Sequence, residues 1–336
     1  MFKSFILLLL SFSPWYHFSV EQEPPQLLES GQPATLYSNQ TNDDLLQVFI
    51  SAIDSAKHSI LLINYALTDP TIIASLCNKA QQGIDIRVIS DIKASPLIDF
   101  KLGPEIVTIR RIGAGLMHHK ILVIDDALVW LGSANMTTES LVSHGNLVAG
   151  INDIVLAKAI SDKAVTMNAE GRNEIFPNQS FLIGGQEVEL WFLPDDRGAL
   201  QRLKGLIQTA KKSVRVAMFT WTHQDLAKEV IAAQKRGVKT EVVIDNYSGK
   251  GVSAKIVKLL KNNGIPVALG PSGTLLHHKF LYIDSQILVN GSANWTKAAF
   301  SQNDDCFLIL QNLTGPQKKL MNALWKAIQA EAIPVE

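Results

Sequence analysis

The chain has 336 residues, 47% of them hydrophobic, enough to bury the core of one large or two ordinary domains, which excludes a disordered or fibrous protein. Lys plus Arg balance Asp plus Glu at 31 each, so no global field draws in a polyanion such as DNA, and any basic site must be local. Two cysteines, Cys77 and Cys306, are too few for a disulfide framework, lack metal-ligand spacing and read as small core residues.

At the N-terminus, Lys3 precedes an apolar run from Phe5 to Leu10, extended through Phe12, with Pro14, Trp15 and Tyr16 beyond it and the Pro-rich EQEPPQ after Val20. This layout predicts a signal peptide or an N-terminal membrane anchor over residues 1–20, with a tether over 21–35. Either form places the body of the protein, exported or anchored, outside the cytosol.

The rest of the chain repeats itself. SAKHSILLINYA from Ser55 matches TAKKSVRVAMFT from Thr209, and IRVISD ending at Asp91 matches TEVVID ending at Asp245, both 154 residues apart. Each copy begins with a helix-period segment (Leu45, Leu46, Phe49, Ile53; Leu200, Leu203, Leu206, Ile207) followed by a β-run (Ile60 to Ile63; Val214 to Phe219). A second helix follows, with Asp69-Pro70 at its start and Gly83 at its stop, mirrored by Asp225 and Gly237. The next β-run ends at Asp91 or Asp245. This alternation predicts an α/β sandwich with a largely parallel sheet in each copy, over 36–167 and 186–332, joined by a polar linker over 168–185.

After these elements comes MHHKILVIDDALVWLGSAN, Met117 to Asn135, and in the second copy LHHKFLYIDSQILVNGSAN, Leu276 to Asn294. The motif histidines His118 and His277 are 159 apart, so copy two holds five extra residues between Asp245 and its motif. Residues two apart on a strand share a face, which puts His118 with Lys120 and His277 with Lys279, while His119 and His278 turn away and read as structural. The apolar run after each Lys is a buried strand, closed at a turn by Asp125 or Asp284. A second strand returns to Gly132-Ser133 or Gly291-Ser292, where Gly permits close backbone approach to a ligand and Ser and Asn share a face. One copy therefore gathers an imidazole, an ammonium, a hydroxyl and a carboxamide, a set suited to a phosphate, with Ser133, Asn135, Ser292 and Asn294 as phosphate-binding donors. One imidazole can attack phosphorus, and a second, charged, can protonate the leaving alkoxide. Two copies packed about a pseudo-twofold axis would supply both to one shared active site, with no metal or cofactor.

The duplicated His-x-Lys-(four)-Asp-(six)-Gly-Ser-x-Asn resembles the phospholipase D superfamily, from about Leu36 to about Ala330. The resemblance implies a phosphohistidine intermediate, His118 and His277 as nucleophile and general acid in an order left open, and Lys120, Lys279, Asp125 and Asp284 counted with the catalytic set. The two aspartates, at strand ends, also fit a role in fixing loop geometry. Family members often carry an acidic residue eleven positions after the motif Asn, holding the catalytic imidazole in its tautomer. Copy two has Asp305 there and copy one Asn146. This predicts that His277 is the more basic histidine, with Glu139 weighed as a substitute carboxylate for copy one and read as a helix-surface residue.

The substrate expected is a phospholipid, phosphatidylcholine or similar, cleaved at a membrane surface to phosphatidic acid and an alcohol by a monomer that is an internal pseudo-dimer. The N-terminus, the zero net charge and the lack of a basic, aromatic-interleaved stripe favour it. The alternatives are a nuclease acting on nucleic acid, a transphosphatidylase of the cardiolipin synthase kind and a non-catalytic phosphate-binding module.

Overall fold

A computed structural model describes residues 28–113, 115–170 and 175–335. The leader expected over 1–20 lies outside the described residues, among which no helix is long and apolar enough to cross a membrane.

The first copy forms a seven-stranded sheet from β1 (Thr35–Tyr37), β2 (Ser59–Asn64), β3 (Asp85–Asp91), β4 (Val107–Arg111), β5 (Lys120–Ile124), β6 (Leu128–Gly132) and β7 (Val148–Asn152), in the order β1-β7-β6-β5-β2-β3-β4. The second forms a nine-stranded sheet from β8 (Gln179–Ile183), β9 (Gln186–Leu193), β10 (Ser213–Met218), β11 (Lys239–Ile244), β12 (Val267–Leu269), β13 (Lys279–Ile283), β14 (Ile287–Gly291), β15 (Asp305–Leu310) and β16 (Ile333–Pro334), ordered β16-β12-β11-β10-β13-β14-β15-β9-β8.

The sheets are mixed rather than largely parallel. Strands β2, β3 and β4 run parallel, as do β10, β11 and β12, but β5 pairs antiparallel with β2 and β6, and β13 with β10 and β14. The cause is local. Asp125-Asp126 (φ 51° and 50°) and Asp284-Ser285 (φ 54° and 55°) are both left-handed, the backbone of a tight hairpin turn, and a hairpin is necessarily antiparallel. The stretch expected as a polar linker over 168–185 contains β8, which adds an edge to the second sheet by pairing with β9.

The helix Pro70–Gln81 starts as the sequence predicts, the Asp69 side chain accepting from Thr71 and Ile72 N–H, and Gly83 beyond its end sits at φ 84°. In the second copy His223 takes the N-cap position of the helix Gln224–Lys235, and Asp225 falls in its first turn.

Three apolar layers result. Helices cover the outer face of each sheet, Phe49, Ile72 and Leu76 over Leu62, Val88 and Trp130 in one copy, and Leu203, Val230 and Leu260 over Val216, Val242 and Ile309 in the other. The inner faces share a third core in which Ile121, Val123 and Leu131 join Phe280, Tyr282 and Leu308, along with the buried sides of helices Ile154–Thr166 and Gly315–Glu331. Because this central core belongs to both copies, neither sheet can bury its inner face alone.

The five extra residues of copy two are largely accounted for. Leu67 N donates to Ser95 Oγ (3.0 Å) and Trp221 N to Ser253 Oγ (2.9 Å), so the two serines are equivalent. Ser95 follows Asp91 by four positions, whereas Ser253 follows Asp245 by eight. The additional chain forms a short helix, Asn246–Lys250, that buries Asn246, Ser248 and Gly249 and exposes Tyr247 and Lys250.

Candidate active site

The motif loops meet where the two copies exchange backbone hydrogen bonds. His118 N donates to Asp304 O and Asp304 N to Leu116 O, both at 2.8 Å, and on the other side of the axis Gly145 N donates to Leu275 O at 2.9 Å. A buried ion pair, Arg111 Nε to Asp304 Oδ2 at 2.5 Å, clamps the first of these crossings.

This exchange crosses the partners of the histidines. His118 Nδ1 lies 2.7 Å from Asp305 Oδ1, and His277 Nδ1 lies 3.0 Å from Asn146 Oδ1. The carboxylate therefore backs His118 and the amide backs His277, the reverse of the assignment expected from spacing within one copy. Spacing specifies the distance along a strand and carries no information on which copy the side chain meets across the axis. Glu139 is exposed on the helix Thr138–Val142 and backs neither histidine.

The tautomers follow from the donors. A carboxylate can only accept, so Nδ1 of His118 carries the proton. Asn146 Nδ2 donates to Ser140 O (2.7 Å) and its Oδ1 accepts from Ser133 Oγ (2.8 Å), so that oxygen accepts from His277 Nδ1–H as well. Both neutral imidazoles thus hold their lone pair on Nε2.

Burial lowers the proton affinity of both rings. His118 is depressed by desolvation and by the Lys120 ammonium, against the pull of Asp305. His277 falls well below the ordinary histidine value, from desolvation and then the charges of Lys279 and Lys120, with an amide and not a carboxylate at its Nδ1. Asp305, which burial alone would push up, is held well below the carboxylate range by His118, Ser292 and Lys120.

Lys120 Nζ donates to His118 O (2.6 Å) over the face of Tyr65, 5.0 Å from the ring centre, and Lys279 Nζ donates to His277 O (2.7 Å) over Phe219 at 4.9 Å. Each ammonium keeps further N–H donors for a ligand. Burial brings Lys120 down to about 7 and, with Lys120 as neighbour, Lys279 well below its ordinary value. An anion placed between the two buried ammonium groups would raise the proton affinity of both.

The remaining motif residues divide. Ser133 and Ser292 orient the acceptors: Ser292 Oγ donates to Asp305 Oδ1 (2.7 Å) and accepts from Cys306 N (3.0 Å), while Ser133 Oγ accepts from Leu147 N (3.1 Å) as it donates to Asn146. Their hydroxyl protons are therefore committed within the protein and not free for the phosphate expected of them. Asn294 Oδ1 accepts from Thr220 N (3.2 Å), which leaves its Nδ2 donors to a ligand; Asn135 Oδ1 is buried without a partner. Gly132 and Gly291 serve the sheet and not a ligand, because a Cβ at either would come within 2.3 Å of the neighbouring strand at Leu147 O or Cys306 O.

Asp125 and Asp284 stand at the far ends of β5 and β13, away from the histidines. Asp125 accepts from the backbone N–H of Lys57, His58 and Ser59, and Asp284 from those of Lys211, Lys212 and Ser213. These carboxylates tie the hairpin turn to the start of β2 or β10, so they do not belong to the catalytic set. His119 and His278 are fully buried on the opposite face, His119 against Phe192 and His278 Nε2 at 2.6 Å from Gln40 Oε1.

Several site residues escape the motif. Tyr65 packs edgewise on His118 and Phe219 lies tilted against His277, and the two positions do align in the repeat. His144, its ring centre 6.3 Å from that of His277, has no counterpart imidazole in copy two. Asp91 and Asp245 accept from Met117 N and Leu276 N, fixing the residue before each motif histidine. The coincidence of an aspartate at the end of equivalent β-runs was the available signal.

The family model described as cardiolipin synthase, PLD-like domain matches residues 49–166 and again 203–329. The chain belongs to the phospholipase D superfamily. Similar proteins include the mitochondrial cardiolipin hydrolase of Chlamydomonas reinhardtii, 23% identical over 58% of this chain and 98% of its own length. That of Homo sapiens is 31% identical over 36% of this chain, and the match spans about half, 47%, of the human protein. Among solved structures, phosphatidylserine synthase of Haemophilus influenzae shares the fold, with a TM-score of 0.69 over 92% of this chain and 89% of the other at 13% identity. Superfamily members are phosphodiesterases, and this chain carries two copies of the motif.

Proposed function

We propose that this protein is a metal-independent phosphodiesterase that hydrolyses a glycerophospholipid through a phosphohistidine at His118. The carrying observation is the crossed pair, Asp305 behind His118 and Asn146 behind His277. As Nε2 of His118 attacks phosphorus, the P–O bond to the leaving alcohol breaks and the ring gains positive charge, which an ionised Asp305 stabilises as it forms. His277 does the opposite: it gives up its proton to the leaving alkoxide and loses charge. An amide partner suits that loss, because it fixes the ring without holding the proton back. Water then attacks phosphorus, the P–N bond breaks, and Nε2 of His277 takes the water proton. Lys120, Lys279 and Asn294 are the donors for the non-bridging oxygens, and the bound anion raises the proton affinity of His277 and of both lysines.

Phosphatidylcholine, the substrate expected from sequence, gives way to cardiolipin as first candidate, since the curated relatives named above are cardiolipin hydrolases and two buried lysines suit an anionic diester. A single chain supplies both halves of the site and acts as a monomer, with residues 1–20 exporting or anchoring it. The test incubates the purified chain with vesicles of cardiolipin, phosphatidylcholine and phosphatidylethanolamine, and with single-stranded DNA, with and without excess EDTA. Release of phosphatidate unaffected by EDTA, with an alkali-stable phosphate on His118 after rapid quench, is the expected result. Cleavage of DNA alone, or restoration of activity only by a divalent ion, would overturn it.

A further inference from the structure

The inserted helix of copy two stands beside the site. It begins at Asp245, which accepts from the N–H preceding His277, and it is braced by Asn246 Nδ2 to Gly270 O (3.1 Å) and by the Ser248–Ser253 hydroxyl pair (2.7 Å). Against that anchored base, Tyr247 is 83% exposed and Val252 68%. In copy one the exposed apolar residues come just past Ser95, the equivalent of Ser253: Leu97 is 64% exposed and Phe100 85%. Leu97 is also held at φ 56°, a left-handed conformation that leucine rarely adopts, so its placement is imposed by the surrounding fold. Single exposed apolar side chains are ordinary, but these four follow equivalent strands, β3 and β11, whose ends carry the aspartates that position the two motifs.

Cations lie among them. Lys93 and Lys101 accompany Leu97 and Phe100, and Lys250 and Lys255 accompany Tyr247 and Val252, all four exposed. The acidic residue in between, Asp99, is paired with Arg110. In a chain of zero formal charge this is a local excess of positive charge interleaved with apolar tips, the pattern of a segment that enters the headgroup layer of an anionic bilayer.

We infer that the loop Leu97–Lys101 and the insertion Asn246–Val252 form a rim that docks the mouth of the site onto an anionic phospholipid surface. The inference rests on the phospholipid reading above and names the surface on which that site works. Single-stranded nucleic acid fits the rim less well, since Leu97 and Val252 offer no face for base stacking.

The experiment uses the full chain and two double variants, Tyr247→Ser with Val252→Ser, and Leu97→Ser with Phe100→Ser. Rates are measured on cardiolipin in phosphatidylcholine vesicles and on soluble bis(p-nitrophenyl) phosphate. Each variant is expected to lose about tenfold or more on vesicles and to keep its soluble rate. In parallel, a nitrobenzoxadiazole label at Tyr247→Cys, in a Cys77→Ser background, should shift to the blue with anionic vesicles and less with pure phosphatidylcholine. Unchanged vesicle rates, parallel loss of the soluble rate, or a shift with DNA and none with vesicles would overturn the rim. If the wild-type chain leaves vesicle lipid uncut, the substrate reading fails and the label alone decides the docking surface.

Discussion

Oδ1 of Asp305 sits 2.7 Å from Nδ1 of His118, a residue of the other copy, while the equivalent contact on the opposite side of the axis, Asn146 to His277, is 3.0 Å and uncharged. Two near-identical motifs thus have unequal electrostatics. The inequality makes the roles of the histidines experimentally separable.

In a bell-shaped pH profile of kcat, taken in the substrate complex where the bound anion has raised His277 above His118, the acidic limb reports the imidazole that must be neutral and the basic limb the one that must be charged. With His118 as nucleophile, Asp305→Asn removes the charge that raises its pKa, so the acidic limb moves to lower pH while turnover falls. Asn146→Asp raises the pKa of His277 and moves the basic limb to higher pH. Movement of the basic limb by Asp305→Asn would exchange the roles, and no movement in either variant would remove both residues from the catalytic circuit.

Each copy holds half of the donors, so His118→Ala and His277→Ala should each reduce turnover by roughly a thousandfold or more, and the double variant should be little worse than either. Half-activity in both single variants, measured on the soluble diester, would mean two independent sites.

Asp125 should matter to folding and not to chemistry. Asp125→Ala removes the acceptor for three backbone N–H groups at a left-handed position and is expected to cost roughly 2 kcal/mol by urea denaturation, with the turnover of the folded fraction unchanged. Asp125→Asn, which tolerates the same backbone and keeps an oxygen, should recover part of that loss. A fall in turnover with undiminished stability would return Asp125 to the catalytic set.

The buried structural histidines make the fold acid-sensitive. Burial, and secondarily Lys279, lowers His278 to about 3, and burial places His119 well below its ordinary value. The unfolded chain, with histidines near 6.5, takes up protons first, so stability is full above about pH 6.5 and is lost as pH falls from there toward 3. The His278 share is at most roughly 5 kcal/mol. Urea midpoints of wild type and His278→Gln between pH 7 and 4 should converge as the pH falls; a constant gap would show that His278 is not buried neutral.

The sequence made the repeat, the caps at Asp69 and Gly83 and the face-sharing of His118 with Lys120 legible, because each is a matter of short-range spacing. What it could not convey depends on contacts across the axis. Spacing placed Asp305 and Asn146 in the site correctly but paired each with the wrong histidine. Gly132 and Gly291 carried a real signal of close approach, yet only the sheet reveals that the approaching group is the next strand. The antiparallel course of β5 and β13 was hidden for another reason, namely that Asp125-Asp126 and Asp284-Ser285 adopt turn conformations more often signalled by Gly or Asn.

The crossed partners also have a consequence for how such a protein can change. Were the same site built by two separate identical chains, any replacement behind one histidine would appear behind the other, and both rings would always share one proton affinity. Joining the copies in a single polypeptide uncouples them, so position 146 can exchange a carboxylate for an amide while position 305 keeps its charge. Duplication within the chain is what allows one imidazole to specialise in bonding phosphorus and its twin in releasing a proton.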